Sequence, residues 1–294
     1  MIITNIIGGL GNQMFQYAAG RAAAYHNKTD LAIDIMGYKR PNHQRHQGYE
    51  LGRVFKVDPV EIDQDELKDF LGWRANDIVR RILKLQALSK FRRNYIIEPH
   101  FHYWNKFKNI KNDSYLSGYW QSEKYFVEIE RLIRKDFEFD ATLSELNCYI
   151  ADDIKINKSV SIHVRRGDLI TDGRRGWKLM IPCSIEYYIN AMKYYSTSLT
   201  RPKFYIFSDD PDWVKNNFPS GFNFEIIQHN SGENSYIDMQ LMSLCEHHII
   251  SNSTFSWWGA WLNPSTSKCT IAPKAWFQNN YNPDDLRFGN WIQM

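Results

Sequence analysis

The second half of the sequence repeats one pattern at least three times: a short run of β-branched and aromatic residues, a polar loop and a helical segment. The first run, residues 159–164, is followed by a charged loop and by a predicted helix over 185–195. Strands that alternate with helices are typical of a parallel sheet in an α/β domain. The pattern therefore restricts this half to an α/β fold, in which ligands bind beyond the carboxyl ends of the strands.

The same criteria predict the other elements of this half. Further strands are predicted at 204–207, 223–227 and 248–250, and further helices at 213–217, 236–245 and 255–262. Because the strands are expected to be parallel, the polar loops that follow them should lie at one edge of the sheet.

The first half opens with a second unit of this kind. A buried strand, a tight turn, an Ala-rich helix and a second strand are predicted at 2–7, 8–11, 13–26 and 31–34. A chain of 294 residues has room for roughly two domains of about 100 to 200 residues. We therefore predict two α/β domains, 1–150 and 151–294, with a helical insertion in the first; the boundary follows from the rhythm of the elements alone.

Composition narrows the class of protein further. The formal net charge of +3 is small for this length, so nucleic-acid binding is not expected and an anionic ligand needs a local basic cluster. The four cysteines form no C-x-x-C pair, which favours reduced thiols over a disulfide or zinc scaffold. The N-terminus lacks the features of a signal peptide, and no apolar run is long enough to span a membrane, so a cytoplasmic location is expected.

The helical insertion covers residues 63–91 and has a basic character. Apolar residues fall on one side of the predicted helix (Ile78, Val79, Ile82, Leu83, Leu85), and basic residues fall on another (Arg80, Arg81, Lys84). The favoured interpretation is an amphipathic helix with a solvated polar face. Peripheral contact with a membrane surface, or with an anionic glycan, through Arg80 to Arg93 is the alternative.

A glycine loop follows the first predicted strand. The segment Gly9-Leu10-Gly11-Asn12-Gln13-Met14 begins like a dinucleotide-binding fingerprint, and Asp34 stands where a ribose-binding acid would. Position 14 is Met instead of the third glycine, so the match to that fingerprint is weak. A structural turn explains the glycines, but polar residues at a helix start favour ligand contact through Gly11, Asn12 and Gln13.

The loop after residue 164 concentrates charge where an α/β sheet binds its ligand. His163-Val164-Arg165-Arg166-Gly167-Asp168 brings two arginines and an aspartate to the end of a strand. Arginine forks match phosphate oxygens, and fixed cations stabilise the negative charge that develops on a diphosphate leaving group. A surface cluster of salt bridges is the competing explanation. One arginine is expected to bind the anion while its neighbour pairs with Asp168 or Asp209.

Acidic residues follow the next strand. Asp209 could accept hydrogen bonds from N1 and the exocyclic amine of a guanine base. Asp210-Pro211-Asp212 also forms a D-x-D sequence, which in some sugar transferases holds a divalent cation. The proline and the helix start near Trp213 favour a helix cap at Asp210 or Asp212 instead, and no metal ion is predicted.

A run of hydroxyl residues precedes the last predicted helix. Ser253, Thr254 and Phe255 place hydroxyl and backbone N–H groups at its start. Such a helix N-terminus is a binding site for anions, and a diphosphate would fit it. Simple capping of the helix would need only one of these hydroxyls.

Taken together, these motifs resemble glycosyltransferase family 11, the bacterial and animal α-1,2-fucosyltransferases. The similar blocks occur in the family's order and extend over nearly the whole chain: Gly8 to Ala18, Gly118 to Ser122, His163 to Asp168, Phe207 to Asp210, and Asp238 to Trp258. The resemblance implies a GT-B fold, with two Rossmann-like domains facing across a cleft. It also implies GDP-β-L-fucose as donor, a galactose 2-hydroxyl as acceptor, inversion to an α-linkage and no required metal or other cofactor.

The resemblance also implies roles for individual residues. Arg165 would bind the diphosphate, with Arg166 beside it, while His163 and Asp209 would contact the guanine. The loop that carries Asn12 would face the reacting sugar from the acceptor-side domain, 1–150, and domain 151–294 would bind the GDP-sugar. A related branch has a glutamate as general base after its arginine motif, which this sequence lacks.

The general base is therefore open among three acidic residues, Asp168, Asp172 and Glu233. We rank Asp168 first because its position within the motif is fixed. The predicted protein is a bacterial galactoside α-1,2-fucosyltransferase, cytoplasmic or peripheral at the inner membrane, that acts on a β-galactoside precursor of a surface polysaccharide or O-antigen. The alternatives are transfer of another GDP-linked sugar such as mannose or rhamnose, an NAD-binding oxidoreductase, and a non-catalytic glycan-binding protein.

Overall fold

The computed structural model describes residues 1–40, 47–167, 180–277, 283–286 and 290–294. Two of the proposed general bases, Asp168 and Asp172, lie outside the described residues. The chain divides into two compact units, Met1–Asp140 (unit 1) and Ala141–Met294 (unit 2). Each unit is built on its own parallel sheet.

Unit 1 is centred on a sheet of five described strands. They are β1 (Ile2–Asn5), β2 (Leu31–Asp34), β3 (Val60–Glu61), β4 (Tyr95–Ile97) and β5 (Ser114–Ser117). Their spatial order is β3-β2-β1-β5-β4, and all neighbours are parallel. The order reverses at β1, which pairs with β2 on one side and with β5 on the other, so the loops after β1 and β5 flank a switch point.

Helices connect these strands. The α-helices described in unit 1 are α1 (Leu10–Asn27), α2 (Leu51–Val54), α3 (Gln64–Leu71), α4 (Asp77–Ile82) and α5 (Glu130–Asp136). Helix α1 packs very closely on the sheet, because a Cβ atom at Gly20 would lie 2.9 Å from the side chains of Thr4 and Leu31. The alanines of α1 are buried in the same way, as predicted for a helix lying against a sheet. No helix in the described ranges is long and apolar enough to cross a bilayer.

The helical insertion differs from the predicted amphipathic helix. It consists of α3, the short helix α4 and two 3-10 turns, Gly72–Ala75 and Gln86–Phe91. The Asp63 carboxylate caps α3, and the Glu66 side chain completes a capping box. In α4 the expected pattern is wrong: Ile78 and Ile82 are exposed, whereas Arg80 turns inward. A buried carboxylate at the end of β2 draws the arginine in, as described below.

Unit 2 contains a larger parallel sheet. Its described strands are β6 (Ser159–Val164), β7 (Lys203–Ser208), β8 (Phe224–Ile227), β9 (His247–Ile249), β10 (Thr270–Ala272) and β11 (Ile292–Gln293). The spatial order is β11-β10-β9-β6-β7-β8, with parallel pairing throughout. Its α-helices are α6 (Glu145–Ile156), α7 (Ile185–Ser198), α8 (Pro211–Asn217), α9 (Tyr236–Leu244) and α10 (Thr254–Leu262). The predicted parallel α/β arrangement of this half is confirmed.

The core of unit 2 surrounds β6. All six residues of this strand are buried, as expected for a central strand of a parallel sheet. Val160 and Ile162 pack with Tyr188 and Met192 of α7 in one apolar cluster. Burying each large aliphatic side chain contributes about 1.5–3 kcal/mol, so this cluster fixes the strand whose carboxyl end carries the charged loop.

The division between the two units differs from the predicted domain boundary. The alternation of strands and helices suggested a boundary near residue 150, and the observed division comes earlier in the chain. Residue 150 lies in the middle of α6, and Ile150, Ala151 and Ile154 are buried there. Because a helix with an apolar buried face belongs to one core, α6 lies wholly in unit 2, and the division falls between Asp140 and Ala141.

Candidate nucleotide-sugar site

The strand order of unit 2 reverses at β6. The chain continues from β6 to β7 and β8 on one side, whereas β9, β10 and β11 lie on the other side. Loops after β6 and β9 therefore leave the sheet in different directions and flank a crevice at its carboxyl edge. The predicted charged loop, which begins at His163, follows β6, and the predicted hydroxyl run, Ser253 to Phe255, follows its neighbour β9 at this switch point.

Asp209 organises the arginine loop. One of its carboxylate oxygens, Oδ1, accepts the backbone N–H of Arg166 at 2.8 Å, and the other, Oδ2, accepts that of Gly167 at 3.1 Å. Arg165 Nη1 lies 3.1 Å from Oδ2 of the same carboxylate. The carboxylate thus holds the loop and the Arg165 guanidinium together, and the guanidinium retains about a third of its exposure.

Arg166 is held differently from Arg165. Its guanidinium carbon lies 3.9 Å from the centre of the Trp213 ring, a cation–π contact, and its Nε lies 3.4 Å from Asp210 Oδ2. Both contacts belong to the start of α8, so the side chain fastens the loop to that helix. Both arginines therefore have an acidic partner, whereas only one was expected to pair, with Asp168 or Asp209: Arg165 lies against Asp209 and Arg166 against Asp210.

The aspartates of the D-x-D sequence have structural partners. Asp210 caps α8 by accepting the Trp213 backbone N–H at 3.1 Å, and Asp212 pairs with Lys215 at 3.2 Å. Asp210 therefore caps a helix, as the proline and the helix start near Trp213 predicted. Over the described ranges, no cluster of three or more His, Cys, Asp or Glu side chains is arranged to hold a metal ion.

His163 is a buried, neutral residue at the end of β6. Its Nδ1 lies 2.9 Å from the Ser251 hydroxyl, and its ring lies 5.5 Å from that of Phe255. Burial, and secondly the charge of Arg165, lower the pKa of the imidazole to about 3. The ring therefore carries no charge at neutral pH.

The start of α10 lies next to the end of β6, where the Phe255 ring is 5.5 Å from that of His163. Ser253 caps the helix by accepting the Phe255 backbone N–H at 3.3 Å, and Thr254 and Phe255 keep partial exposure. The buried Asn252 amide donates to the carbonyls of Ile181 and Trp276 and so anchors the loop. Backbone N–H groups of a fixed helix N-terminus, together with the helix dipole, suit the oxygens of a phosphate.

The glycine loop lies at the corresponding switch point of unit 1. The Asn12 side-chain oxygen accepts a hydrogen bond from Gln121 Nε2 at 2.8 Å, which joins the loops after β1 and β5. Gly8 has φ +84°, and a Cβ atom there would lie 2.7 Å from Asn12 Nδ2, so only glycine fits. Asn12 is partly exposed at this edge, whereas Gly11 is buried in the first turn of α1.

The structure corrects the expected role of Gln13. Its side chain is completely buried, and its Nε2 donates to the carbonyls of Gly8 and Gly48 at 3.1 and 2.8 Å. Its Oε1 accepts the Glu50 backbone N–H at 2.9 Å. With both ends of the amide bonded within the protein, the buried Gln13 side chain holds the loop and is not placed to reach a ligand.

Asp34 is committed to an ion pair. Its Oδ2 accepts the Tyr115 hydroxyl at 2.5 Å and lies 3.2 Å from Arg80 Nη1, and its Oδ1 accepts the Met36 backbone N–H. The carboxylate is 1% exposed. In a dinucleotide-binding site this acid would accept hydrogen bonds from a ribose. Because Asp34 is buried and already paired, it is not placed to do so.

Glu98 is a carboxyl group that no sequence motif indicated. It follows β4, and its two oxygens accept the backbone N–H groups of Tyr119 and Trp120 at 2.6 and 3.0 Å. Burial raises its pKa to about 7 despite these bonds. The turn that it fastens leads to Gln121, and Trp120 adopts φ +54° there.

Glu233, the one proposed general base among the described residues, lies in an exposed 3-10 turn.

Asp238 makes a pH-dependent contribution to stability that can be measured. Burial raises its pKa from 3.8 to about 7, although Asn230 donates a hydrogen bond to it. Because the folded state holds this proton more tightly than the unfolded state, the contribution is lost as pH rises from about 4 to about 7. We expect Asp238→Asn, which does not titrate, to gain stability relative to wild type between pH 5 and pH 8 in urea unfolding. Asp140→Asn, at an exposed position, is the control; identical pH profiles for wild type and Asp238→Asn would contradict the assignment.

Cationic and helix-dipole groups that converge at the switch point of a parallel sheet define an α/β protein suited to a phosphorylated ligand. The chain belongs to glycosyl transferase family 11, whose model matches residues 1–294. It is 34% identical to an α-1,2-colitosyltransferase of Escherichia coli over 96% of both chains. It is 31% identical to the O-antigen biosynthesis glycosyltransferase WbnK of Escherichia coli over 98% of both.

Among solved structures, the fold is similar to that of the α-1,6-fucosyltransferase NodZ of Bradyrhizobium, in a crystal soaked with GDP-fucose. The TM-score is 0.51 at 16% identity, covering 90% of this chain and 92% of NodZ. At this identity the likeness speaks for the fold alone. It confirms the predicted α/β fold of GT-B type, with two Rossmann-like domains.

Proposed function

We propose that the protein transfers L-fucose from GDP-β-L-fucose to the 2-hydroxyl of a terminal galactose in a glycan, with inversion and without a metal ion. The observation that carries this proposal is the Arg165 guanidinium, which Asp209 fixes at the switch point of unit 2, two residues after His163, whose ring lies against Phe255 at the start of α10. Membership of glycosyl transferase family 11 and the α-1,2 linkage in the name of a relative support it.

The reaction is a single displacement at fucose C1. The galactose O2 forms a bond to C1 as the bond from C1 to the β-phosphate oxygen breaks, and GDP leaves with that electron pair. Negative charge grows on the leaving oxygen, where Arg165 and the positive end of the α10 helix dipole would stabilise it. The proton of the galactose hydroxyl passes to a base, for which Asp168 is our proposal.

The other residues have supporting roles in this proposal. The neutral His163 would hydrogen-bond the guanine through Nε2, because Ser251 occupies its Nδ1. Arg166 would act by fastening the loop to Trp213. Asp209 would act chiefly by positioning Arg165. The resemblance had instead implied that Asp209 contacts the guanine directly. Asn12 would contact a sugar at the edge of unit 1.

The test is a donor panel with a single acceptor. The protein is incubated with lactose in EDTA and with GDP-fucose, GDP-mannose or GDP-rhamnose, and GDP release and product linkage are measured. We expect GDP release with GDP-fucose and a fucosyl-α-1,2-galactose linkage by NMR. No product with any β-galactoside, or a requirement for added divalent metal, would contradict the proposal.

The 34% identical relative is a colitosyltransferase, so colitose is an alternative donor sugar to fucose. Colitose is L-fucose without its 3-hydroxyl, so a site that hydrogen-bonds this hydroxyl would favour fucose strongly, and one that packs against C3 would not. GDP-colitose therefore belongs in the panel. A kcat/KM for GDP-colitose above that for GDP-fucose would assign the protein to colitose transfer at the same site.

A further inference from the structure

The connection between β3 and β4 has an exposed surface of unusual composition. Five large apolar side chains lie exposed within it: Trp73, Ile78, Ile82, Leu85 and Phe91. Four basic side chains are exposed among them: Arg81, Lys84, Lys90 and Arg93. We call these nine residues the crossover surface. Exposed aliphatic and aromatic residues rarely cluster on a soluble surface without a partner.

Exposed residues of α4 and of the chain just after it form one stripe. Ile78, Arg81 and Ile82 follow the i, i+3, i+4 spacing that places side chains on one helix face, and Leu85 follows the helix in extended backbone. Ile78 is 67% exposed and Leu85 60% exposed, whereas Leu83 on the inner face is 2% exposed. The apolar stripe therefore points away from the core of unit 1, while Val79 and Leu83 pack into that core.

Structural contacts hold this surface in place. Arg80 lies against the buried Asp34 and against Asp77. Arg92 donates from Nε to the Leu83 carbonyl at 2.8 Å and from Nη2 to the Lys84 carbonyl at 3.2 Å, which closes the end of α4. These inward arginines order the segment, and so the exposed side chains are displayed on a fixed backbone.

The charge of the segment is complementary to an anionic surface. Residues 72–93 contain seven Lys or Arg and one Asp, a net charge of +6, whereas the whole chain carries +3. The rest of the chain is therefore net −3, and the positive charge is local. Basic side chains interleaved with Trp, Phe, Ile and Leu are typical of segments that lie in the interface of an anionic lipid membrane.

We propose that the crossover surface docks unit 1 onto a membrane that contains anionic phospholipid. Each of the four basic residues contributes electrostatic attraction, and the apolar stripe enters the headgroup region. The arginine contacts of the segment are distinct from those of Arg165, so docking is independent of the proposed reaction. A negatively charged glycan would use the charges without requiring the apolar stripe.

The test is co-sedimentation of the full chain with vesicles. We expect binding to vesicles of phosphatidylglycerol and phosphatidylcholine, and none to phosphatidylcholine alone. The variant Arg81→Ser/Lys84→Ser/Lys90→Ser/Arg93→Ser should bind more than tenfold more weakly, because each basic residue near such a surface is worth about a factor of five. Ile82→Ser/Leu85→Ser should bind several-fold more weakly and lose the residual binding at high salt.

A matched control removes the same charge elsewhere. Lys56, Lys106, Lys111 and Lys193 are also exposed, and their replacement by Ser should leave most of the binding intact. Unfolding midpoints equal to that of wild type would show that all three variants fold. No binding to the anionic vesicles, equal loss in the control, unchanged binding of the apolar variant, or preference for a soluble sulfated polysaccharide over vesicles would overturn the proposal.

Discussion

Replacing Arg165 with alanine should lower kcat about a hundredfold to a thousandfold, while the fold stays intact. Arg165 is the guanidinium that Asp209 fixes at the switch point of unit 2. Removing one fixed donor from a site of developing negative charge costs a factor of this size. Its partial exposure means that the loss of packing is small. Initial rates of GDP release at saturating donor, together with thermal unfolding, measure both parts of the prediction.

Two further variants separate a specific role from a general charge effect. Arg131→Ala removes an exposed arginine from α5 and should leave kcat unchanged. Arg165→Lys keeps the charge without the planar fork, so we expect an intermediate rate. Turnover of Arg165→Ala within a few-fold of wild type would remove the centre of the proposed mechanism.

Asp209→Ala should lower kcat about tenfold to a hundredfold. The carboxylate holds Arg165 Nη1 and the backbone N–H groups of Arg166 and Gly167, so its loss frees the loop. Asp209→Asn should be less harmful, because the amide oxygen still accepts a backbone N–H. Steady-state rates with GDP-fucose and calorimetric binding of GDP measure the effect.

The double variant tests whether the two residues act as a unit. If Asp209 works by positioning Arg165, then Arg165→Ala/Asp209→Ala should be no slower than Arg165→Ala alone. If Asp209 only offsets the positive charge, Asp209→Ala should bind GDP more tightly and keep its kcat. That second pattern, or fully additive losses in the double variant, would contradict the positioning role.

The sequence predicted much of unit 2 because its strands are buried on both faces. Strand β6 was predicted with the bounds that the structure shows, since every residue from Ser159 to Val164 is buried and the run is continuous. Strands β4 and β5 of unit 1 were not predicted. They have three and four residues, and β5 pairs with β1, a strand more than 100 residues away that the local pattern does not reveal.

Some contacts of the candidate site could also be predicted from the sequence, and others could not. An ion pair between the arginine loop and Asp209 could be expected, because Val164 and Ser208 are paired at the ends of adjacent strands β6 and β7; that Arg165 and not Arg166 makes it was not expected. The bond between His163 and Ser251 could not, because it follows from the pairing of β6 with β9 across the strand-order reversal. The inward turn of Arg80 is a tertiary effect too: a buried carboxylate outweighed the helical pattern.

The most direct test of the account is a crystal structure of the protein with GDP bound. We predict that the diphosphate lies within hydrogen-bonding distance of the Arg165 guanidinium and of the backbone N–H groups at the start of α10, with the guanine near His163. Asp209 should keep its contacts with the loop. Nucleotide bound at the glycine loop of unit 1, or a diphosphate that does not touch Arg165, would contradict the account.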